Sequence, residues 1–259
     1  MPRIAAPELE DYPWFPVPLR DAMTGFLRVA SEALGVSAAA APLVLEAMDA
    51  AGTDRIVDLC SGGGGPVVSL VQRLRDHHGR DATVVLTDLY PNADAFARAE
   101  ADLPCRVHGR RKPTDAAAVS ADLPGVRTLF NALHHLPPAV ACAVFADAAR
   151  QRQPIVTFEL VERSAQGALI VAGLPLAIYA LSAFVRPARV SALALTYAVP
   201  VLPVAITWDG FASCLRAYSV AELEALVAPL QRDDYRFRVE RRRIPWRPMY
   251  LTSVVGLPR

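Results

Sequence analysis

The run Arg55-Ile-Val-Asp-Leu-Cys-Ser-Gly-Gly-Gly-Gly65 constrains this chain more than any other stretch. An apolar strand ends on the carboxylate of Asp58 and breaks into consecutive glycines, and the helical pattern Val67–Leu74 follows. Glycines allow backbone conformations closed to other residues and let a ligand lie against bare peptide. A strand, a glycine turn and a helix in that order suit a nucleotide-like cofactor held by an α/β fold.

Two cofactor classes use such a turn. A dinucleotide fingerprint wants Gly-x-Gly-x-x-Gly; this chain supplies Gly62 and Gly64 but has Val67 where the third glycine belongs. Asp58 would also meet an approaching pyrophosphate with like charge, whereas it suits a cationic ammonium group. S-adenosylmethionine carries such a cation.

On these residues the chain resembles the class I S-adenosylmethionine-dependent methyltransferases, whose first motif is an acidic residue, a spacer, then glycines at alternate positions. Cys60 stands in place of the first glycine, and Gly62 and Gly64 remain as the close-approach positions. Later landmarks follow in order. Ala82-Thr-Val-Val-Leu-Thr-Asp88 reads as a second buried strand ending in an acid, where a Rossmann-like unit sets a carboxylate against ribose hydroxyls. A third short strand around Cys105–His108 precedes Pro113-Thr-Asp115-Ala116, which resembles the family's Asp-Ala step beside the adenine amino group and implies Asp115 as the adenine contact.

Gly125-Val-Arg-Thr-Leu-Phe-Asn131-Ala-Leu-His134-His135 is similar to the family's fourth strand and the loop beside the transferable methyl group, which adds Asn131 to the implied cofactor residues. Pro154-Ile-Val-Thr-Phe-Glu159-Leu-Val-Glu-Arg163 supplies a fifth strand, and Arg236–Ile244 with Met249–Val255 reads as a closing antiparallel pair. The resemblance implies a Rossmann-like α/β fold: a seven-stranded, mostly parallel sheet with an antiparallel final strand, a helical N-terminal arm and an apolar helical insert. The expected division is 1–51 as arm and lid, 52–163 with 217–259 as methyltransferase core, and 164–216 as insert.

Composition limits the rest. A net charge of +1 argues against polyanion binding, and Lys112 is the single lysine among 27 basic residues. No nucleic-acid partner is expected. Cys60, Cys105, Cys142 and Cys214 lack the spacing of a metal or disulfide framework and read as reduced, buried thiols. Met1–Asp11 is charged and has no apolar core, so it is no secretory signal, and a cytoplasmic enzyme is expected.

The segments Ala168–Val185 and Val190–Trp208 are uncharged, with Arg186 and Arg189 between them. Each reaches the length of a membrane span, but Pro175, Pro200 and Pro203 interrupt the helices. Three readings stay open: a hairpin through the bilayer, a cap that buries itself, and a cap that dips into a membrane surface. Asp209, Ser213, Arg216 and Tyr218 read as a latch, with Arg216 paired to Asp209, or as groups that orient an acceptor. The Pro-rich stretch Glu8–Leu19 is no helix interior; helical patterns resume over Arg20–Leu34 and Ala39–Ala51. The resemblance implies an arm folded over the cofactor with Tyr12 touching it, against a surface-packed arm as the alternative.

Methyl transfer from a sulfonium is an in-line displacement that needs no metal, but an acceptor hydroxyl or activated carbon must lose a proton. His135 and His134 follow the fourth strand and are the candidate bases, His135 first; the alternative is a loop histidine that only bonds backbone. His77 and His78 read as solvated. The expected function is methyl transfer to a hydrophobic or aromatic small molecule. Its rivals are a cofactor-binding protein with another role and a membrane-associated lipid methyltransferase.

Overall fold

The computed structural model describes Pro2–Val185 and Val190–Arg259, so Arg186 and Arg189 lie outside the described residues. In chain order the helices and strands are α1 (Val17–Leu34), α2 (Val36–Ala51), β1 (Arg55–Asp58), α3 (Gly65–His78), β2 (Thr83–Leu86), α4 (Ala93–Asp102), β3 (Val107–Gly109) and β4 (Val126–Phe130). There follow α5 (Pro138–Arg150), β5 (Ile155–Glu159), α6 (Ala165–Ala172), α7 (Leu174–Leu181), α8 (Val190–Tyr197), α9 (Val201–Arg216), α10 (Val220–Val227), β6 (Tyr235–Arg243) and β7 (Tyr250–Pro258). They form two compact units, Gly35–Leu160 with Val220–Arg259, and Met1–Leu34 with Val161–Ser219.

The larger unit holds one seven-stranded sheet in the order β3-β2-β1-β4-β5-β7-β6. The first five strands run parallel, and β7 lies antiparallel between β5 and β6. The central strands are short apolar runs because helices cover both faces of a parallel sheet, and β5 is buried along its whole length. At the closing pair Gly256 is required: a Cβ there would lie 2.6 Å from Phe237 Cε1 and 2.9 Å from Ile155 Cγ2. The outer strand β6 ends in exposed Arg241–Arg243, a charged edge that resists pairing with another sheet.

The order reverses between β1 and β4, and at such a switch point the carboxyl ends of the strands leave a crevice. Backbone bonds tie these ends into one rim: Leu59 N–H donates to Thr128 O at 2.8 Å, Thr87 N–H to Asp58 O at 2.9 Å, and Asn131 N–H to Phe158 O at 2.7 Å.

The smaller unit has its own core, built from Phe15, Met23, Phe26, Ile178, Leu202 and Ile206. Its N-terminal arm is a short 3-10 turn, Leu9–Asp11, pinned to α9. Ile4 N–H donates to Leu215 O at 3.0 Å, Trp208 Nε1 to Pro7 O at 3.1 Å, and Asp209 accepts from the N–H groups of Leu9 (2.7 Å) and Glu10 (3.2 Å). Arg216 reaches Asp11 at 2.5 Å and Glu8 at 3.3 Å. Where the sequence reading paired Arg216 with Asp209 to tie the insert to the core, Arg216 pairs with Asp11 and Glu8 of the arm and Asp209 accepts from the arm's backbone.

Several boundaries differ from the sequence reading. The division falls at Leu34–Gly35 and not at 51–52, because Gly35 takes a left-handed φ of 76° and α2 packs on α3 and β7. Helix α2 starts at Val36 with Pro42 inside it, and α1 starts at Val17 with Pro18 in its first turn, where a proline removes only a donor that is unpaired anyway. Among the four free cysteines Cys214 is buried, but Cys105 is exposed, in a left-handed turn with φ 66°.

Candidate functional site

Asp58 ends β1 with its side chain buried, and Thr128 Oγ1 donates to its Oδ1 at 2.6 Å. Its backbone oxygen accepts from Ser61 Oγ and Thr87 Oγ1, both at 2.8 Å. Burial pushes the Asp58 carboxyl up to about 7, against the hydrogen bonds from Thr128 and Ser61, and the charge of Asp88 adds to the rise. A carboxyl so placed is primed to ionise when a cation arrives.

The loop after Asp58 turns through left-handed backbone at Cys60 (φ 53°), Gly62 (φ 53°) and Gly64 (φ 81°). The two glycines serve different ends. A Cβ on Gly64 would lie 3.2 Å from both Leu86 Cδ1 and Val68 Cγ2, so this glycine lets α3 close onto β2. A Cβ on exposed Gly62 would meet nothing within 4 Å, so there the bare backbone faces open space. The helix α3 begins directly beyond, with Gly64 as its N-cap.

Asp88 follows β2 and faces this loop. Its Oδ2 accepts from Gly62 N–H and its Oδ1 from Tyr90 N–H, both at 2.9 Å. A carboxylate offers about four acceptor sites, so two remain for hydroxyl donors. Thr114 N–H donates to Asp88 O at 2.8 Å and brings Asp115 to the same rim; the Asp115 carboxylate caps Ala117 N–H at 2.8 Å. The three carboxylates converge electrostatically on the Cys60 thiol, which burial and then Asp88, Asp58 and Asp115 push up to about 12. That thiol is an inert spacer, not a nucleophile.

Asn131 ends β4 in the left-handed region (φ 49°), and its Oδ1 accepts from Leu160 N–H at 2.8 Å. Its amide carbonyl is thus spent on bracing the rim between β4 and β5. Next comes a 3-10 turn, Leu133–His135. His134 is buried, with Nδ1 2.6 Å from Glu159 Oε2, while Glu159 Oε1 accepts Leu133 N–H at 2.8 Å. A carboxylate only accepts, so the ring donates from Nδ1. His135 is half-buried, its ring centroid 4.3 Å from that of His134.

Glu159 is the site residue that sequence reasoning passed over. Its signal was present: an acid ending an apolar strand, the same pattern that picked out Asp58. Tyr12 belongs to the smaller unit, where its ring stacks on Trp14 at 5.6 Å. His77 and His78 are exposed at the end of α3.

No family model and no curated protein matches this sequence. Solved structures do resemble it. The plantazolicin methyltransferase in complex with S-adenosylhomocysteine shares 9% identity over 93% of this chain and 98% of its own, with a TM-score of 0.50. The chain has the fold of the class I S-adenosylmethionine-dependent methyltransferases. An O-methyltransferase of neocarzinostatin biosynthesis, bound to S-adenosylmethionine and 2-hydroxy-5-methyl naphthoic acid, matches at 18% identity and a TM-score of 0.46 over 82% of this chain. LepI in complex with S-adenosylmethionine matches at 16% identity and 0.44 over 78%. This chain spans 51% and 42% of those two proteins. At such identities the likeness concerns the fold alone.

Proposed function

We propose that this chain binds S-adenosylmethionine and transfers its methyl group to a hydrophobic or aromatic small molecule. One observation carries the reading. The open, left-handed backbone at Gly62 lies among Asp58, Asp88 and Asp115, so bare peptide and three carboxylates share one rim at the switch point. This set fits the donor's parts: a buried carboxyl for its cationic portion, an acceptor-rich Asp88 for ribose hydroxyls, and Asp115 for the adenine amino group.

When bound, the donor supplies a methyl group on a positively charged sulfur. The chain's own work is to hold the reactants in line, exclude water and take up a proton where the acceptor releases one. His134 is the base in this reading. Glu159 fixes its ring and tautomer, so that Nε2 is the nitrogen able to take a proton.

Support for an apolar acceptor comes from the smaller unit taken by itself. It contains a recess of about 360 Å³ lined by Leu9, Phe15, Val199, Pro200, Val201 and Val204. That volume lies in the range of small-molecule sites, and its lining favours aromatic or aliphatic groups.

The experiment has two stages. Calorimetry with S-adenosylmethionine and S-adenosylhomocysteine should show binding that Asp88→Ala weakens at least tenfold. Incubation with isotopically labelled donor and a panel of phenolic, polyketide-like and charged acceptors should then label the apolar members. Absence of binding by the folded chain removes the whole reading; binding with no labelled product removes transfer and leaves a cofactor-binding protein.

A further inference from the structure

We infer that the smaller unit is an interfacial module that seats helices α6–α8 on an anionic phospholipid surface. This goes beyond methyl transfer and does not depend on it. The first observation is exposure. Leu169 is 74% exposed, Leu176 78% and Val190 82%, and Phe184 is exposed as well. Large apolar side chains left this open along one short helical stretch call for a covering surface.

The second observation is what the segment lacks. From Ser164 to Trp208 the sequence has no acidic residue and no lysine, and its charges are Arg186 and Arg189. Two of its hydroxyls are spent on backbone carbonyls within the unit. Thr196 Oγ1 donates to Ala192 O at 2.8 Å, and Tyr197 OH donates to Tyr179 O at 2.6 Å. A protein partner, including a second copy of this chain, would look for roughly one hydrogen bond per 100–200 Å² and a polar rim. An acyl boundary asks for none, which suits a segment whose exposed side chains are mainly apolar.

The third observation is length. Helices α6, α7 and α8 have 8 residues each, and a helix of that size spans only about 12 Å against a hydrocarbon core of about 30 Å. No single described helix is long and apolar enough to cross a membrane. The pairs that reach the length together are bent, by 42° for the α6 and α7 pair and by 78° for the α8 and α9 pair. Short bent helices suit lying in the interface and not spanning it. Tyr179, Tyr197 and Trp208 are each about half exposed, the amphipathic ring types that favour the headgroup level. The excess of two arginines over no acids in this stretch selects anionic headgroups.

The test is co-sedimentation of the full chain with vesicles of phosphatidylcholine alone and of phosphatidylcholine with 30 mole per cent phosphatidylglycerol, an amount on the order of an anionic leaflet. Wild type should pellet with the anionic vesicles. The double variant Leu169→Glu, Leu176→Glu should lose at least tenfold in partitioning, with an unchanged far-ultraviolet spectrum and unchanged S-adenosylmethionine affinity. Arg186→Gln with Arg189→Gln should lower binding to the anionic vesicles and leave any phosphatidylcholine binding as it was. Wild type remaining in the supernatant with both compositions overturns the inference. So does sedimentation velocity that finds a stable dimer which the double glutamate variant dissolves, because the surface then belongs to a second copy. The vesicle arm needs no donor or acceptor, so its failure is distinct from a failure of the methyl-transfer reading.

Discussion

His134 Nδ1 and Glu159 Oε2 lie 2.6 Å apart, both side chains buried, at the adjoining ends of β4 and β5. The same carboxylate accepts Leu133 N–H, so one residue fixes both the imidazole and the turn that carries it. His134→Ala should lower methyl-transfer kcat by about 10²–10⁴-fold for an acceptor that loses a proton, the usual worth of a positioned base. Glu159→Gln keeps a carbonyl for Leu133 but turns an amide donor toward Nδ1, which reverses the tautomer. It should reduce kcat with little change in donor affinity. Single-turnover rates alongside calorimetry separate these effects, and full activity in both variants rejects the dyad as the base.

The Asp58 carboxyl, raised to about 7, has a consequence for pH. The folded state holds its proton more tightly than the unfolded chain, whose ordinary value is 3.8. The contribution to stability is therefore complete below the unfolded value and is lost as pH rises from about 4 through about 7. A bound cation reverses this preference by favouring the carboxylate. Donor affinity should thus rise with pH up to about 7 and then level off. Calorimetry at pH 6 in buffers of different ionisation enthalpy should show a proton released on binding. Asp58→Asn should flatten the pH profile, and an unaltered profile in that variant would disconnect Asp58 from the donor.

Much of this was legible in the sequence because it was local. The strand ending at Asp58, the glycine turn and the acid at Asp88 each sit within a few residues of the feature that identifies them, and all reach one rim. The pairing of His134 with Glu159 joins the turn after β4 to the end of β5, so only the pairing of β4 with β5 brings them together. Asn131 shows the opposite limit. Its place after the fourth strand matched the family's cofactor loop, yet its carbonyl braces Leu160, a contact that depends on how β5 ends. The arm boundary was missed because α1 and α2 read as consecutive helices, and a single left-handed glycine, Gly35, is all that stands between them.

The two loop glycines should fail in different ways. Alanine at Gly64 forces a left-handed φ of 81° on a residue that resists it and pushes a methyl to 3.2 Å from Leu86 and Val68. The conformational term alone is about 1–2 kcal/mol, which corresponds to several degrees in Tm for a chain of this size. Alanine at Gly62 has the same conformational cost without the contact, since nothing lies within 4 Å. Its methyl would fill the space proposed for the donor. Thermal melts should rank Gly64→Ala as less stable than Gly62→Ala, while donor affinity should fall further in Gly62→Ala. The reverse ranking for affinity would move the donor away from this loop.

Deeper in the larger unit, Arg127 on β4 is fully buried and donates through Nη1 to Asp147 Oδ2 at 2.8 Å. Asp147 on α5 also accepts Val119 N–H at 3.3 Å and the Gln151 amide at 3.0 Å, and it pairs with Arg150. Burial lowers the affinity of Arg127 for its proton, and Asp147 opposes that effect. Among the described residues Arg127 Nε and Nη2 have no hydrogen-bond partner, so the guanidinium depends heavily on this one carboxylate. Removing a single member of a buried pair leaves an uncompensated charge and costs about 3–5 kcal/mol. Asp147→Ala should lose about that much in urea unfolding, whereas Arg127→Met with Asp147→Leu should recover most of it by replacing the pair with apolar volume. If the double variant is no more stable than Asp147→Ala, the loss comes from the Val119 and Gln151 bonds and not from the stranded arginine.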